Sequence, residues 1–187
     1  MLNTSHILKA ALAVSLIMVT GAAYAAVSRS LPESATLSDL ATVNATGEQC
    51  ESASLNEAVT LLFQQNDAPA AAAIAKRCEA LSIAQQRPFY KTIASRIKAM
   101  IAMKGKDMRA LQSAGEALVA EAHFPEYVAD GHMFIAFACV FSGNAGCARR
   151  HLEQAKAMFA QHEVLSALEQ LRPVEQALNK LEGQDQP

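Results

Sequence analysis

An all-helical fold is what this chain predicts, on three observations. Alanine makes up about a fifth of the 187 residues, and it is the best helix former and small enough to let helices pack closely. Past Glu48, apolar residues recur at three- and four-residue spacing, the period of a helix buried along one face. Short turns carrying Asn, Asp, Gly and Pro interrupt these runs, and such residues start and stop helices. The balance of 51% hydrophobic and 18% charged residues with a net charge of -2 fits a soluble globular protein with no strong field. It argues against a nucleic-acid partner.

The chain opens with a weakly basic MLNTSHILK, an apolar run AALAVSLIMVTGAAYAA and a small-x-small site at Ala23-Tyr24-Ala25. That order predicts a signal peptide or signal anchor over residues 1–25. Left uncut, the run from Ala10 to Val27 is long enough to span a bilayer, and this segment is then the only membrane contact expected. Residues 26–48 are rich in Ser, Thr and Ala without an apolar period, which predicts a flexible spacer. The helical domain takes residues 49–187. The expected location is exported, periplasmic or anchored facing the periplasm, or secreted.

Export changes how four cysteines are read, because thiols outside the cytosol usually end in disulfides. Cys139 and Cys147 flank Ser142-Gly143-Asn144 almost symmetrically, so two antiparallel helices joined there bring them face to face. That leaves Cys50 for Cys78, and the alternative is a set of buried free thiols. Neither Cys-x-x-Cys nor His-x-x-x-His occurs, so no metal site and no redox centre is expected.

The elements follow in order. Ser54-Leu55-Asn56-Glu57 reads as a capping box opening a helix to about Gln65. Asn66-Asp67 turns, and Ala68-Pro69 begins a second helix to about Ala84. Arg87-Pro88 opens a third helix to Met103; Lys104 to Asp107 breaks and recaps it, and Met108 to Ala122 returns. Pro125 predicts a loop, and Asp130-Gly131 predicts the start of a helix over His132 to Ser142, with a partner helix from Ala145 to about Ala160. His162 to Glu182 is amphipathic, with Pro173 as a kink or a break between two short helices. Three hairpins and a capping helix result, and their turn residues Asn66, Gly105 and Gly143 lie 39 and 38 residues apart.

The stretch His132 to Ala160 resembles a tetratricopeptide repeat, with Ala136 in its first helix, Gly143 at the turn, then Ala148, Leu152 and Ala155. The middle hairpin keeps Ile97, Ile101, Gly105, Ala110, Ala114 and Ala117 but has Lys98 where a small residue is usual. The first has Ala58, Leu62, Ala71, Ala75 and Cys78. The usual Trp and closing Pro are missing, and the period exceeds the family's usual length of about 34. The chain also resembles the cysteine-bridged hairpin repeats of bacterial exported proteins, in which a Cys-x7-Cys pair staples a hairpin. The resemblance implies antiparallel hairpins in a right-handed array with a C-terminal capping helix.

It also implies a concave face lined by the first helices, with Phe63, Ala99, Met103, Met133, Phe137 and Phe141 in a groove for a protein or peptide partner. The competing reading is burial, because the run from Met133 to Phe141 is apolar on every side, as in a helix in the middle of a bundle. No phosphate loop, nucleophile elbow or paired-histidine motif occurs, so neither catalytic residues nor a cofactor are expected. His123, His132, His151 and His162 read as dispersed, solvated side chains. Arg149-Arg150 and the Lys104, Lys106, Arg109 group read as solvated helix faces. The expected function is an exported interaction module or scaffold, with envelope complex assembly as its expected setting; the alternatives are a small-molecule-binding bundle and a self-associating structural subunit.

Overall fold

Three turns of one design set the register of the chain. Asn66, Lys106 and Gly143 each take a left-handed backbone with φ of 58°, 58° and 74°. The next residue in each case caps a helix: Asp67, Asp107 and Asn144 accept hydrogen bonds from the backbone N–H groups of Ala70, Ala110 and Cys147. A left-handed residue ends one helix and a capping side chain satisfies a free donor of the next. The middle turn is one residue later than the sequence suggests, since Lys106, not Gly105, takes the left-handed conformation.

The computed structural model describes residues 49–162 and 164–184. The predicted signal segment and spacer lie outside them. Among the described residues there are seven helices and no strand: α1 (Ser52–Phe63), α2 (Ala68–Ala84), α3 (Pro88–Gly105), α4 (Met108–Glu121), α5 (Pro125–Phe141), α6 (Ala145–Gln161) and α7 (Leu165–Gln184). The fold is all-α. Helices α2, α4 and α6 follow the three caps, whereas α3 and α5 each open on a proline, Pro88 and Pro125. Proline suits a first helical turn, where its missing N–H has no partner to lose.

Connections of two to four residues make successive helices antiparallel, and each packs on the next. A second set of packings joins α1 to α3, α3 to α5 and α5 to α7. Helices α3 and α5 thus have neighbours on both sides as well as their hairpin partners. The core follows from this, with Ile93, Ile97, Leu111, Leu118, Leu152, Phe159 and Leu171 all buried.

Two expectations change, and the one left open at Pro173 is decided. The proposed loop at Pro125 and helix start at Asp130-Gly131 are both inside α5, because Pro125 begins a helix instead of ending one. The Ser54 to Glu57 capping box lies within α1, which begins at Ser52 without a side-chain cap; Ser54 is buried. Pro173 sits inside a single helix, α7, where its ring displaces one hydrogen bond of the ladder. Both expected disulfides are formed, Cys50 to Cys78 and Cys139 to Cys147, with Cα atoms 5.3 and 5.9 Å apart.

Candidate functional site

The α2–α3 and α4–α5 connections fall at the end of the bundle opposite the three hairpin turns. Phe124 precedes Pro125, and the proline ring disfavours helical backbone at the residue before it. Phe124 accordingly holds an extended conformation with φ of -105° and ψ of 127°. Its carbonyl accepts the N–H groups of Tyr127 and Val128, so the backbone is tied down while the residue stays 45% exposed. Phe89, one residue past Pro88, meets Phe124 edge-on at 5.4 Å between centroids and Tyr127 at 5.9 Å. Phe124 and Tyr127 are 6.2 Å apart. Such edge-to-face pairs add to simple area burial. The C-terminal part of α2 brings Ile83 to the same end of the bundle, 81% exposed.

Behind the aromatic trio lies a buried charge pair. The Arg96 guanidinium of α3 stands over the Tyr127 ring, 5.4 Å from its centroid. Its Nε is 3.0 Å from Asp130 Oδ2, an ion pair by distance rather than by N–H alignment. Asp130 is buried, and desolvation pushes its carboxyl up to about 6 against the opposing pull of Arg96, with Glu126 adding to the rise. Burial also raises the Tyr127 phenol, which Arg96 opposes. The pair fixes α3 against α5 and sets the platform on which the aromatic rings stand. Tyr90 Oη and Thr92 Oγ1 on α3 are also buried, with no hydrogen-bond partner among the described residues.

The expected groove is largely packed. Ala99, Met103, Met133 and Phe137 are buried, and only Phe63 and Phe141 are half-buried. Phe137 and Phe141 stack on each other at 4.8 Å, and Lys104 lies 5.5 Å from the Phe63 ring centroid while donating to the Leu62 carbonyl. The physical reason is the double set of neighbours around α3 and α5, which buries the Met133 to Cys139 run of α5 on every side and leaves only Lys91 and Lys98 exposed between the ends of α3.

The histidines are not all dispersed. His132 of α5 and His151 of α6 meet with Nδ1 atoms 2.9 Å apart, and His132 is buried. No sequence motif announces this pair, because the two residues are 19 apart and only the α5–α6 register joins them. Arg149 next to it bonds Glu182 of α7.

Among the described residues, no group of three or more His, Cys, Asp and Glu side chains is placed to hold a metal ion. No described helix is long and apolar enough to cross a membrane. No protein-family profile matches the chain, and no curated protein or solved structure matches it either.

Proposed function

We propose that the chain is an exported, disulfide-stapled interaction module of tetratricopeptide type, without catalytic activity, and that it engages a protein or peptide partner through the aromatic end and not through a concave groove. The observation that carries this reading is the placement of Phe124 and Ile83. They are the large apolar side chains exposed among the described residues, and both lie at one end of the bundle, with Phe89 and Tyr127 backing Phe124. Clustered aromatic side chains on a rigid base are what binding hot spots are made of.

The repeat reading is supported by the recurrence of a left-handed residue and a capping side chain at three turns. The packing of alternate helices α1, α3, α5 and α7 in sequence supports it further, since each unit of such an array buries its apolar face against its neighbours. The pairing of all four cysteines in disulfides favours an oxidising compartment. A role in assembling an envelope complex fits such a module and rests on analogy.

The test is capture of the protein from its native envelope under mild crosslinking, comparing the wild type with Phe124→Asp and Ile83→Asp after circular dichroism shows both variants folded. One stoichiometric protein recovered with the wild type and lost with the variants is the expected result. Recovery that is indifferent to both substitutions would move the partner site elsewhere. A wild-type protein recovered alone, whose sedimentation changes with concentration, would make it a self-associating subunit.

A further inference from the structure

The His132–His151 contact plays no part in that reading. His132 is the eighth residue of α5 and His151 the seventh of α6. Their rings are tilted by 37° with centroids 5.1 Å apart. At an Nδ1 to Nδ1 distance of 2.9 Å there is room for one proton between the nitrogens, so one imidazole donates and the other accepts through its lone pair.

Protonation of such a pair is stepwise. The first proton can settle on Nε2 of the donor, leaving the contact in place as a charge-assisted hydrogen bond. The second has to land on the accepting Nδ1, which removes the acceptor and sets two N–H groups and two positive charges against each other. We propose that His132–His151 is an acid-released clasp across the α5–α6 hairpin, opening on double protonation while the Cys139–Cys147 disulfide holds the two helices together near their turn. The disulfide lies seven residues from His132 along α5 and four from His151 along α6, about two turns and one turn away. The parting is therefore a hinge about the staple.

The surrounding charges favour a clasp that is closed at neutral pH. Burial lowers both imidazoles below the ordinary histidine value; His151 adds to the effect on His132, and Arg150 of α6 adds to that on His151. Glu116 of α4 opposes, raising His151, and Gln112 holds the Glu116 carboxylate by a hydrogen bond of 2.8 Å. On the α7 side, Glu175 and Glu182 are engaged by Lys156 and Arg149 of α6. On the α3 side, Arg96 is paired with Asp130. Of the two rings His151 is the less buried, and Glu116 raises its value against the larger lowering by burial and by Arg150.

The test is hydrogen exchange with mass spectrometry on the disulfide-bonded chain at about pH 7.5 and about pH 4.5, corrected for intrinsic rates. Wild type is compared with His151→Asn, whose amide reaches the position of Nδ1 but does not titrate. Peptides over 130–136 and 149–155 are expected to lose protection on the order of tenfold or more in the wild type and about twofold or less in His151→Asn. An equal loss in both proteins, or none in the wild type, would overturn the clasp. Nitrogen-15 NMR of the wild-type imidazoles gives an independent reading that needs no variant. Two well-separated steps shared by both rings are expected from a coupled pair, and two independent titrations at the ordinary value would overturn it.

Discussion

Gly115 of α4 and Gly131 of α5 face each other where the two helices cross. A Cβ on either would stand 2.8 Å from the backbone oxygen of the other, and also 2.9 Å from Ile135 Cγ1 at Gly115 or from Leu118 Cβ at Gly131. Gly131→Ala is expected to destabilise the fold by about 1–3 kcal/mol, because backbone atoms cannot yield as a flexible side chain does. Gly105→Ala is expected to act in the opposite sense. A Cβ there meets nothing within 4 Å and the residue has no positive φ, so alanine should stabilise by about 0.5–1 kcal/mol. Urea denaturation of the two variants beside the wild type checks both signs.

Removing one partner of the α3–α5 charge pair should cost more than removing both. Asp130 and Arg96 side chains are 3% and 13% exposed, so Asp130→Ala leaves a mostly buried guanidinium without its carboxylate, at a cost of about 3–5 kcal/mol. The double variant Asp130→Leu with Arg96→Met is expected to be close to neutral, since a buried ion pair gains little over apolar packing of similar volume. Equilibrium denaturation of single and double variants completes the cycle.

The same carboxyl gives a pH dependence of definite sign. Its value in the folded chain is raised from 3.8 to about 6, so between these values the folded state holds a proton that the unfolded state releases. Stability from Asp130 is fully present below about 3.8 and is lost as pH rises through about 6. The histidines, lowered in the fold, work the other way: their contribution is present above about 6.5 and is lost as pH falls through their folded values. Subtracting the denaturation midpoints of Asp130→Asn from those of the wild type across this range should leave a difference that favours the wild type increasingly toward acid.

The two disulfides should differ in worth. Cys50 and Cys78 are separated by 28 residues and Cys139 and Cys147 by 8. Restricting the unfolded chain by loops of these sizes stabilises by about 3.5 and about 2.5 kcal/mol respectively. The pair Cys50→Ser with Cys78→Ser is therefore expected to lower the melting temperature more than Cys139→Ser with Cys147→Ser, as read by calorimetry on matched samples.

Helix existence was legible because it depends on neighbours in sequence. Asn66-Asp67, Gly143-Asn144 and Arg87-Pro88 announce their boundaries by local chemistry, and the structure keeps them. Pro125 was ambiguous on the same grounds, since a proline both ends a helix and begins one. The choice fell to helix because the apolar faces of α5 run on through Ala129 and Met133, both buried. Asp130-Gly131 reads locally as a start signal, yet Gly131 serves a close crossing with α4 that lies sixteen residues back at Gly115.

The candidate site was less legible. Met103 and Phe137 are apolar at helical spacing, which fits a groove and a core equally well, and their burial depends on what α5 and α7 cover. Phe124 carries no periodic signal and stands out only as a residue before proline. His132 and His151 belong to different helices, and neither position predicts the other.

By itself the sequence determined the all-helical class and the turns at Asn66 and Gly143, and it favoured the Cys139–Cys147 staple without settling it, because helix capping, proline placement and short loops act over a few residues of backbone. Only the tertiary structure decided which apolar faces are covered, that Arg96 finds Asp130, and that His132 meets His151. Those outcomes depend on the rotation and axial offset of each helix against its neighbours, and these are set by the packing of whole faces such as the Gly115–Gly131 crossing, not by any local run of residues.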